Sequence, residues 1–194
     1  TPDMKRLLPK GMEGVKPFKA KKQDLRYKGE KIAEPVAYLP VFPGTNCEYD
    51  TAKAFRKAGA KVKMSVFRNL TEQDVFDSID EMKRNIDECQ ILMFCGGFSA
   101  GDEPDGSGKF IANVLNNEKI AAAVEALIAR GGLILGICNG FQALVKSGLL
   151  PYGHLGCVTK DSPTLFRNDI NRHISQIAFT RVASVNSPWL AGMN

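Results

Sequence analysis

Cys138 lies within Gly136-Ile137-Cys138-Asn139-Gly140-Phe141-Gln142, which follows the apolar run Leu133-Ile134-Leu135 and precedes a helix-compatible stretch. Strand, sharp turn and helix in that order describe a nucleophile elbow. Gly136 and Gly140 flank the cysteine because the turn is tight and its dihedrals are poor for residues with a Cβ. The elbow puts the thiol at the carboxyl end of a buried strand and the start of a helix, where unpaired N–H groups and the helix dipole favour thiolate. The chemistry this suits is attack on a carbonyl carbon through a covalent thioester.

Such an attack on an amide builds negative charge on oxygen, and backbone N–H groups aimed at that oxygen lower the barrier. The second glycine-rich loop, Gly96-Gly97-Phe98-Ser99-Ala100-Gly101-Asp102, is the candidate source of one donor. Its glycines let the backbone approach closely, and the amide of Asn139, next after the nucleophile, is the second candidate donor. The other cysteines, Cys47, Cys89, Cys95 and Cys157, have no comparable setting and are expected to be structural. Five cysteines with no C-x-x-C pair argue against a disulfide framework and a zinc site and suit a reducing cytosol.

These loops need a scaffold, and from Pro35 onward the sequence supplies alternating elements. Val36–Phe42 is a β-rich run, Pro43-Gly44 a break, and Thr45-x-x-Glu48 a capping box opening a helix that stops near Gly59. A strand at Lys61–Phe67, a helix from Thr71 to Arg84 and an apolar strand at Ile91–Cys95 follow. A helix across Glu118–Arg130, punctuation at Gly131-Gly132, the strand before Cys138 and a helix from Asn139 to Ser147 complete the series. The pattern predicts an α/β fold: a doubly wound, mainly parallel, flavodoxin-like sheet with helices on both faces. Ligands of such sheets bind beyond the carboxyl ends of the strands, where Pro43–Cys47, Gly96–Asp105 and the elbow emerge.

The net charge of +5 belongs to one end of the chain. Ten of the 26 Lys and Arg but only five of the 21 acids fall in residues 1–34, and the remainder balance. Residues 1–34, with scattered Pro and Gly and no apolar period, read as a basic linker or arm, and residues 35–194 as the domain. Without aromatic interleaving or a binding module, the arm does not point to nucleic acid. No apolar run approaches the roughly 20 residues that span a bilayer, and no signal peptide opens the chain, so a cytoplasmic protein without membrane contact is expected. The chain starts Thr1-Pro2, without an initiator methionine, and is expected to be part of a longer polypeptide.

Two features do not carry the chemistry they suggest. Gly106-Ser107-Gly108-Lys109 would need a glycine where Glu103 stands and Ser or Thr where Phe110 stands to be a phosphate loop. His154 and His173 are the two histidines available as a base, and neither is followed by a carboxylate placed to orient it.

Four stretches together resemble the glutaminase domain of the phosphoribosylformylglycinamidine synthase family. They are Gly-Ile-Cys-Asn-Gly-Phe-Gln at 136–142, Cys-Gly-Gly-Phe-Ser-Ala-Gly-Asp at 95–102, Phe-Pro-Gly-Thr-Asn-Cys-Glu at 42–48 and Leu-Phe-Arg-Asn at 165–168. The resemblance runs from about Pro35 to Asn194, and residues 1–34 resemble the connection from a synthetase region in the large, single-chain form. It implies a class I glutamine amidotransferase that hydrolyses glutamine and supplies ammonia to that synthetase region of the same longer chain. There ATP-activated formylglycinamide ribonucleotide becomes the amidine of purine biosynthesis. By this resemblance Cys138 is the nucleophile, the amide of Gly97 or Phe98 and that of Asn139 form the oxyanion hole, and Gln142 and Asn168 help hold glutamine. No cofactor is implied for this domain; ATP and magnesium belong to the synthetase region.

The chain departs from the family at one point. The family triad ends in a His-x-Glu pair near the close of the domain, and these 194 residues contain none, since His173 is followed by Ile174-Ser175. A cysteine without its base loses much of its amidase power. The expectation is a domain incomplete at its carboxyl end, with little or no turnover alone. The rival readings are a DJ-1-like hydrolase or chaperone of the same fold, in which Glu48 would poise the cysteine, and a non-catalytic docking domain.

Overall fold

The computed structural model describes residues 32–99, 108–166, 168–177 and 187–190. The chain divides into two compact units, Gly29–Arg172 and a second formed by Thr1–Lys28 with His173–Asn194. In the second unit the described residues are 173–177, without regular secondary structure, and 187–190, with a 3-10 turn at Pro188–Leu190 where the Leu190 amide donates to the Ser187 carbonyl at 3.0 Å. The expected basic arm falls, up to residue 31, outside the described residues.

The first unit is built on a four-stranded parallel sheet in the order β2-β1-β3-β4, with β1 Val36–Val41, β2 Lys61–Val66, β3 Ile91–Phe94 and β4 Leu133–Gly136. The helices are α1 Glu48–Lys57, α2 Glu72–Glu88, α3 Lys109–Leu115, α4 Glu118–Ala129, α5 Asn139–Ser147 and the short α6 Leu149–Tyr152. The expected α/β fold is present, because each strand-then-helix unit must cross over to lay its next strand parallel. Side chains alternate across the sheet and sort into two cores. Tyr38, Leu92 and Phe94 point to one face, where they meet Met82 and Ile86 of α2, Ile120 and Leu127 of α4, Ile111 of α3 and Leu144 of α5. Ala37, Leu39, Met93 and Cys95 point to the other, against Ala52 and Phe55 of α1.

β1 is central and apolar throughout, as a strand covered on both faces must be. Pro40 lies within it, where a missing N–H would normally break a ladder. The pairing of β1 with β3 is confined to Ala37–Ile91 and Tyr38–Leu92, so the imide falls past the end of that ladder. Phe42, Phe67 and Phe94, each at a strand's carboxyl end, gather with Phe110 of α3, with ring centroids 5.6–6.4 Å apart. This aromatic cluster is a stiff floor beneath the loops that leave the strands.

Several boundaries differ from the sequence expectation. The Thr45-x-x-Glu48 capping box does not form: the N-cap of α1 is Cys47, in a left-handed conformation without a side-chain cap. Thr45 is spent on the preceding turn, its hydroxyl accepting from the Phe42 amide at 3.0 Å. A true capping box starts α2 instead, where Thr71 Oγ1 accepts from the Asp74 amide and Asp74 accepts from the Thr71 amide. α2 runs past Arg84 because its buried stripe of Ile79, Met82 and Ile86 continues with helical spacing. It ends on a borrowed cation: its last turn holds no basic residue, and Arg130 at the end of α4 donates to the carbonyls of Ile86 (2.5 Å) and Cys89 (3.1 Å). Helix α3 buries Ile111, Ala112, Val114 and Leu115 but has no clear signal in the sequence, since seven residues are too few for its period to stand out.

Candidate active site

Strand β4 pairs with β3 up to Phe94–Gly136, and the Ile137 amide extends the contact by donating to the Phe94 carbonyl at 3.1 Å. The chain then turns at Cys138, whose φ of 53° and ψ of −111° are rarely adopted by a residue with a side chain. Helix α5 starts at once, the Gln142 amide donating to the Cys138 carbonyl at 3.0 Å. The strained turn leaves the thiol exposed at the helix N-cap, as an elbow requires. Gly140 makes that geometry possible, because a Cβ there would stand 2.1 Å from the Phe94 carbonyl oxygen. Only without a side chain can α5 lie so close on β3.

The neighbouring strand end brings the second loop to the thiol. Gly96 lies beside the elbow, the position of a Cβ on it falling 3.3 Å from Cys138 Cβ and 4.0 Å from Sγ. The loop then doubles back along the Pro43–Cys47 turn: the Asn46 amide donates to the Gly96 carbonyl and the Phe98 amide to the Gly44 carbonyl, both at 2.8 Å. Gly97 sits in the middle with φ 137°, so near the facing turn that a Cβ would be 2.3 Å from the Gly44 oxygen. Of the two amides the sequence offered from this loop, Phe98's is committed to Gly44, while Gly97's donates to nothing among the described residues. The Phe98 ring is 79% exposed. Residues 100–107 lie outside the described residues, and with them Gly101 and Asp102.

Asn139 ties the two loops together. Its side chain is 2% exposed, its Oδ1 accepting from the Ser99 amide at 3.2 Å and its Nδ2 donating to Gln142 Oε1 at 3.2 Å. The sequence points to the Asn139 backbone alone, because the side chain's bridge spans 40 residues and has no local signal. Gln142 is half-buried one turn into α5, on the Asn139 side. Asn168 is exposed, and its Nδ2 closes a local turn onto the Arg172 carbonyl at 3.0 Å.

Residues 34–194 match the CobB/CobQ-like glutamine amidotransferase domain. The chain belongs to that family. A phosphoribosylformylglycinamidine synthase subunit PurQ from Ruegeria pomeroyi is 34% identical over 158 residues, covering 81% of this chain and 58% of that protein. The PurQ subunit of Dehalococcoides mccartyi is 40% identical over 109 residues, covering 56% of this chain and 38% of that protein. A solved structure of PurLQS from Thermotoga maritima aligns with 31% identity and a TM-score of 0.43, over 60% of this chain and 46% of that one. The chain thus spans between about two fifths and three fifths of the length of these relatives.

Burial pushes the Cys95 thiol up, partly offset by a hydrogen bond from Thr51 and reinforced by the Glu48 carboxylate. Glu48 therefore acts on Cys95, and among the described residues it makes no hydrogen bond to Cys138, the contact a DJ-1-like site would need. His154 lies at the far end of α5, its carbonyl beside Gly148, and is exposed next to Glu125 of α4 at 3.4 Å. From the N-cap of α5 to its C-cap is about 15 Å at 1.5 Å per residue, too far for a base to Cys138. Among the described residues no group of three or more His, Cys, Asp or Glu could hold a metal, and no helix is long and apolar enough to cross a membrane.

Proposed function

We propose that this chain is the glutamine-hydrolysing part of a phosphoribosylformylglycinamidine synthase, and that Cys138 is its nucleophile. The observation that carries the reading is the strained, exposed Cys138 beside Gly96, next to a Gly97 amide that donates to nothing among the described residues, in a chain of the glutamine amidotransferase family. The thiolate adds to the side-chain amide carbon of glutamine, and the oxygen's developing charge is met by the amides of Gly97 and Asn139, the latter in the first turn of α5. The C–N bond breaks as nitrogen takes a proton and leaves as ammonia, and water then splits the γ-glutamyl thioester to glutamate and free thiol. Gln142, held by Asn139, borders the space where the substrate's amino-acid end would lie. Asn168, whose Nδ2 now donates to the Arg172 carbonyl, is proposed as a second polar group toward the substrate.

The ammonia is consumed by a synthetase region, proposed to lie in the same longer polypeptide. ATP and magnesium act there and are assigned to none of the residues here. Five free cysteines suit a cytoplasmic setting. A thiol acting without a His-x-Glu base hydrolyses amides poorly, and these 194 residues contain no such pair, so very low turnover is expected of them alone.

The test is labelling with a diazo-ketone analogue of glutamine, mapped by mass spectrometry with glutamine as competitor. Selective, glutamine-protected modification of Cys138 is the expected result. Labelling spread over all five cysteines, or unaffected by glutamine, would remove the proposed substrate site.

A further inference from the structure

Three amide groups form a chain that runs from the glycine-rich loop into α5. The Ser99 amide donates to Asn139 Oδ1, and Asn139 Nδ2 donates to Gln142 Oε1, both at 3.2 Å. The polarity is fixed at one end, because a backbone N–H can donate but never accept. The Asn139 atom facing Ser99 must therefore be the carbonyl oxygen, which turns its NH2 toward Gln142. That NH2 in turn demands the carbonyl of Gln142 and leaves the Gln142 NH2 on the far side of its own carboxamide. Further partners at Ser99 or Asn139 leave this order unchanged, since a carbonyl oxygen has two lone pairs and an NH2 two hydrogens. Reversal would set donor against donor around an Asn139 that is 2% exposed, where water cannot make up the loss.

The far end of the chain is open. Among the described residues Gln142 Nε2 donates to nothing, and no buried side-chain nitrogen or oxygen there lacks a partner. Gln142 is half-buried, so its NH2 is reached by solvent. It stands one turn from the thiol-bearing residue: the Gln142 amide donates to the Cys138 carbonyl at 3.0 Å, and four residues of helix rise about 6 Å.

We propose that the Asn139 side chain is a positioning residue that fixes Gln142 as a hydrogen-bond donor, so that the site selects its amino-acid substrate by an acceptor, the α-carboxylate. A carboxylate only accepts, and its bond to an NH2 is of the stronger, charge-assisted kind. An α-carboxamide is neutral and can turn either end to its partner, so it is nearly indifferent to the direction of Gln142. The direction of one buried amide thereby separates a free amino acid from its α-amide. This rests on the glutaminase reading and adds to it what Gln142 offers the substrate and which residue makes it do so.

The experiment measures protection of Cys138 from iodoacetamide by glutamine and by glutamine α-amide, in the parent chain and in variants whose urea midpoints show them folded. Glutamine should protect the parent at a concentration roughly tenfold lower than the α-amide, the worth of one hydrogen bond to a charged group. Gln142→Met, neutral and of similar length without a donor, should raise the glutamine requirement roughly tenfold and that of the α-amide much less. Asn139→Asp keeps an acceptor for Ser99 but turns Gln142 around, and should cancel or reverse the preference. Phe141→Glu, at an exposed position beside Gln142, adds the same charge without touching the chain of amides and should keep the preference. Where Asn139→Asp does not fold, Asn139→Ala, which frees Gln142 to turn, should abolish the preference in its place. If the Asn139 and Gln142 variants leave the preference intact, the proposal is overturned while the glutaminase reading stands. An equal change in Phe141→Glu would overturn it by assigning the effect to charge. Protection of the parent by neither compound would remove the substrate site itself, and the reading would fall together with the proposal.

Discussion

Cys95 and Cys138 follow neighbouring parallel strands, β3 and β4, each just past the last paired residue, yet their surroundings make them opposites. Cys95 continues its strand, is 3% exposed and turns into the core beneath α1, where burial raises its thiol and Thr51 donates to it. Cys138 leaves its strand at a positive φ that swings the thiol out over the sheet edge, and α5 starts beneath it. The same residue type is thus a small core hydrophobe in one place and, in the next, an exposed thiol proposed as the nucleophile. Backbone direction makes the difference, and it is imposed from outside the turn by the closeness of α5 to β3 and by the Asn139 bridge to Ser99.

Breaking that closeness should have the largest effect. Gly140→Ala puts a Cβ against the Phe94 carbonyl, so α5 must move, and a loss of about 3 kcal/mol is expected in urea unfolding. Cys138 should then lose its advantage over Cys95 in alkylation. An unchanged labelling pattern with full stability would show that the elbow does not depend on this contact.

The buried thiols should also reveal themselves through pH. Burial pushes Cys89 up to about 11 from an ordinary thiol value of 9.0, with Arg130 opposing the shift. A folded-state value above the unfolded one means stability is fully present below about pH 9 and is lost as pH rises through about 11, by at most about 2–3 kcal/mol. Urea midpoints across this window should fall in the parent chain and fall less in Cys89→Val. A parallel fall in both would assign the loss to other groups.

Asn139→Ala should come next, at about 1–2 kcal/mol, because the buried Ser99 amide loses its acceptor. Simple alkylation of Cys138 should persist while protection by glutamine is lost, since the thiol stays exposed but the Gly97 loop is no longer pinned. Protection at the parental level would confine Asn139 to stability. The smallest effect is expected at Thr51→Val, about 0.5–1 kcal/mol, which removes the hydrogen bond that lowers the Cys95 thiol. Cys95 should become still slower to alkylate at high pH, whereas faster reaction would mean that Thr51 shields it.

Much of this scaffold was legible because its signals are local. β1, β3 and β4 are short apolar runs bounded by Pro or Gly, α4 and α5 start and stop at recognisable residues, and Gly136-x-Cys138-x-Gly140 marks the elbow without an aligned relative. Thr45 shows where local reading fails: its spacing to Glu48 is right for a cap, but a hydroxyl can serve one turn only, and the Phe42 turn took it. Arg130 reads as the basic end of α4, yet it also completes the carboxyl end of α2, 41 and 44 residues away.

From its sequence alone the chain determines which elements form, that they alternate into a parallel sheet, and which cysteine stands at a turn, because propensity, capping and glycine geometry act over a few residues. Tertiary structure decided which loop amides donate to the facing turn and which do not among the described residues, and that Asn168 engages its own turn while Gln142 faces Asn139. Those outcomes depend on side chains from distant segments competing for the same partners in three dimensions, and spacing along the chain does not encode the winner.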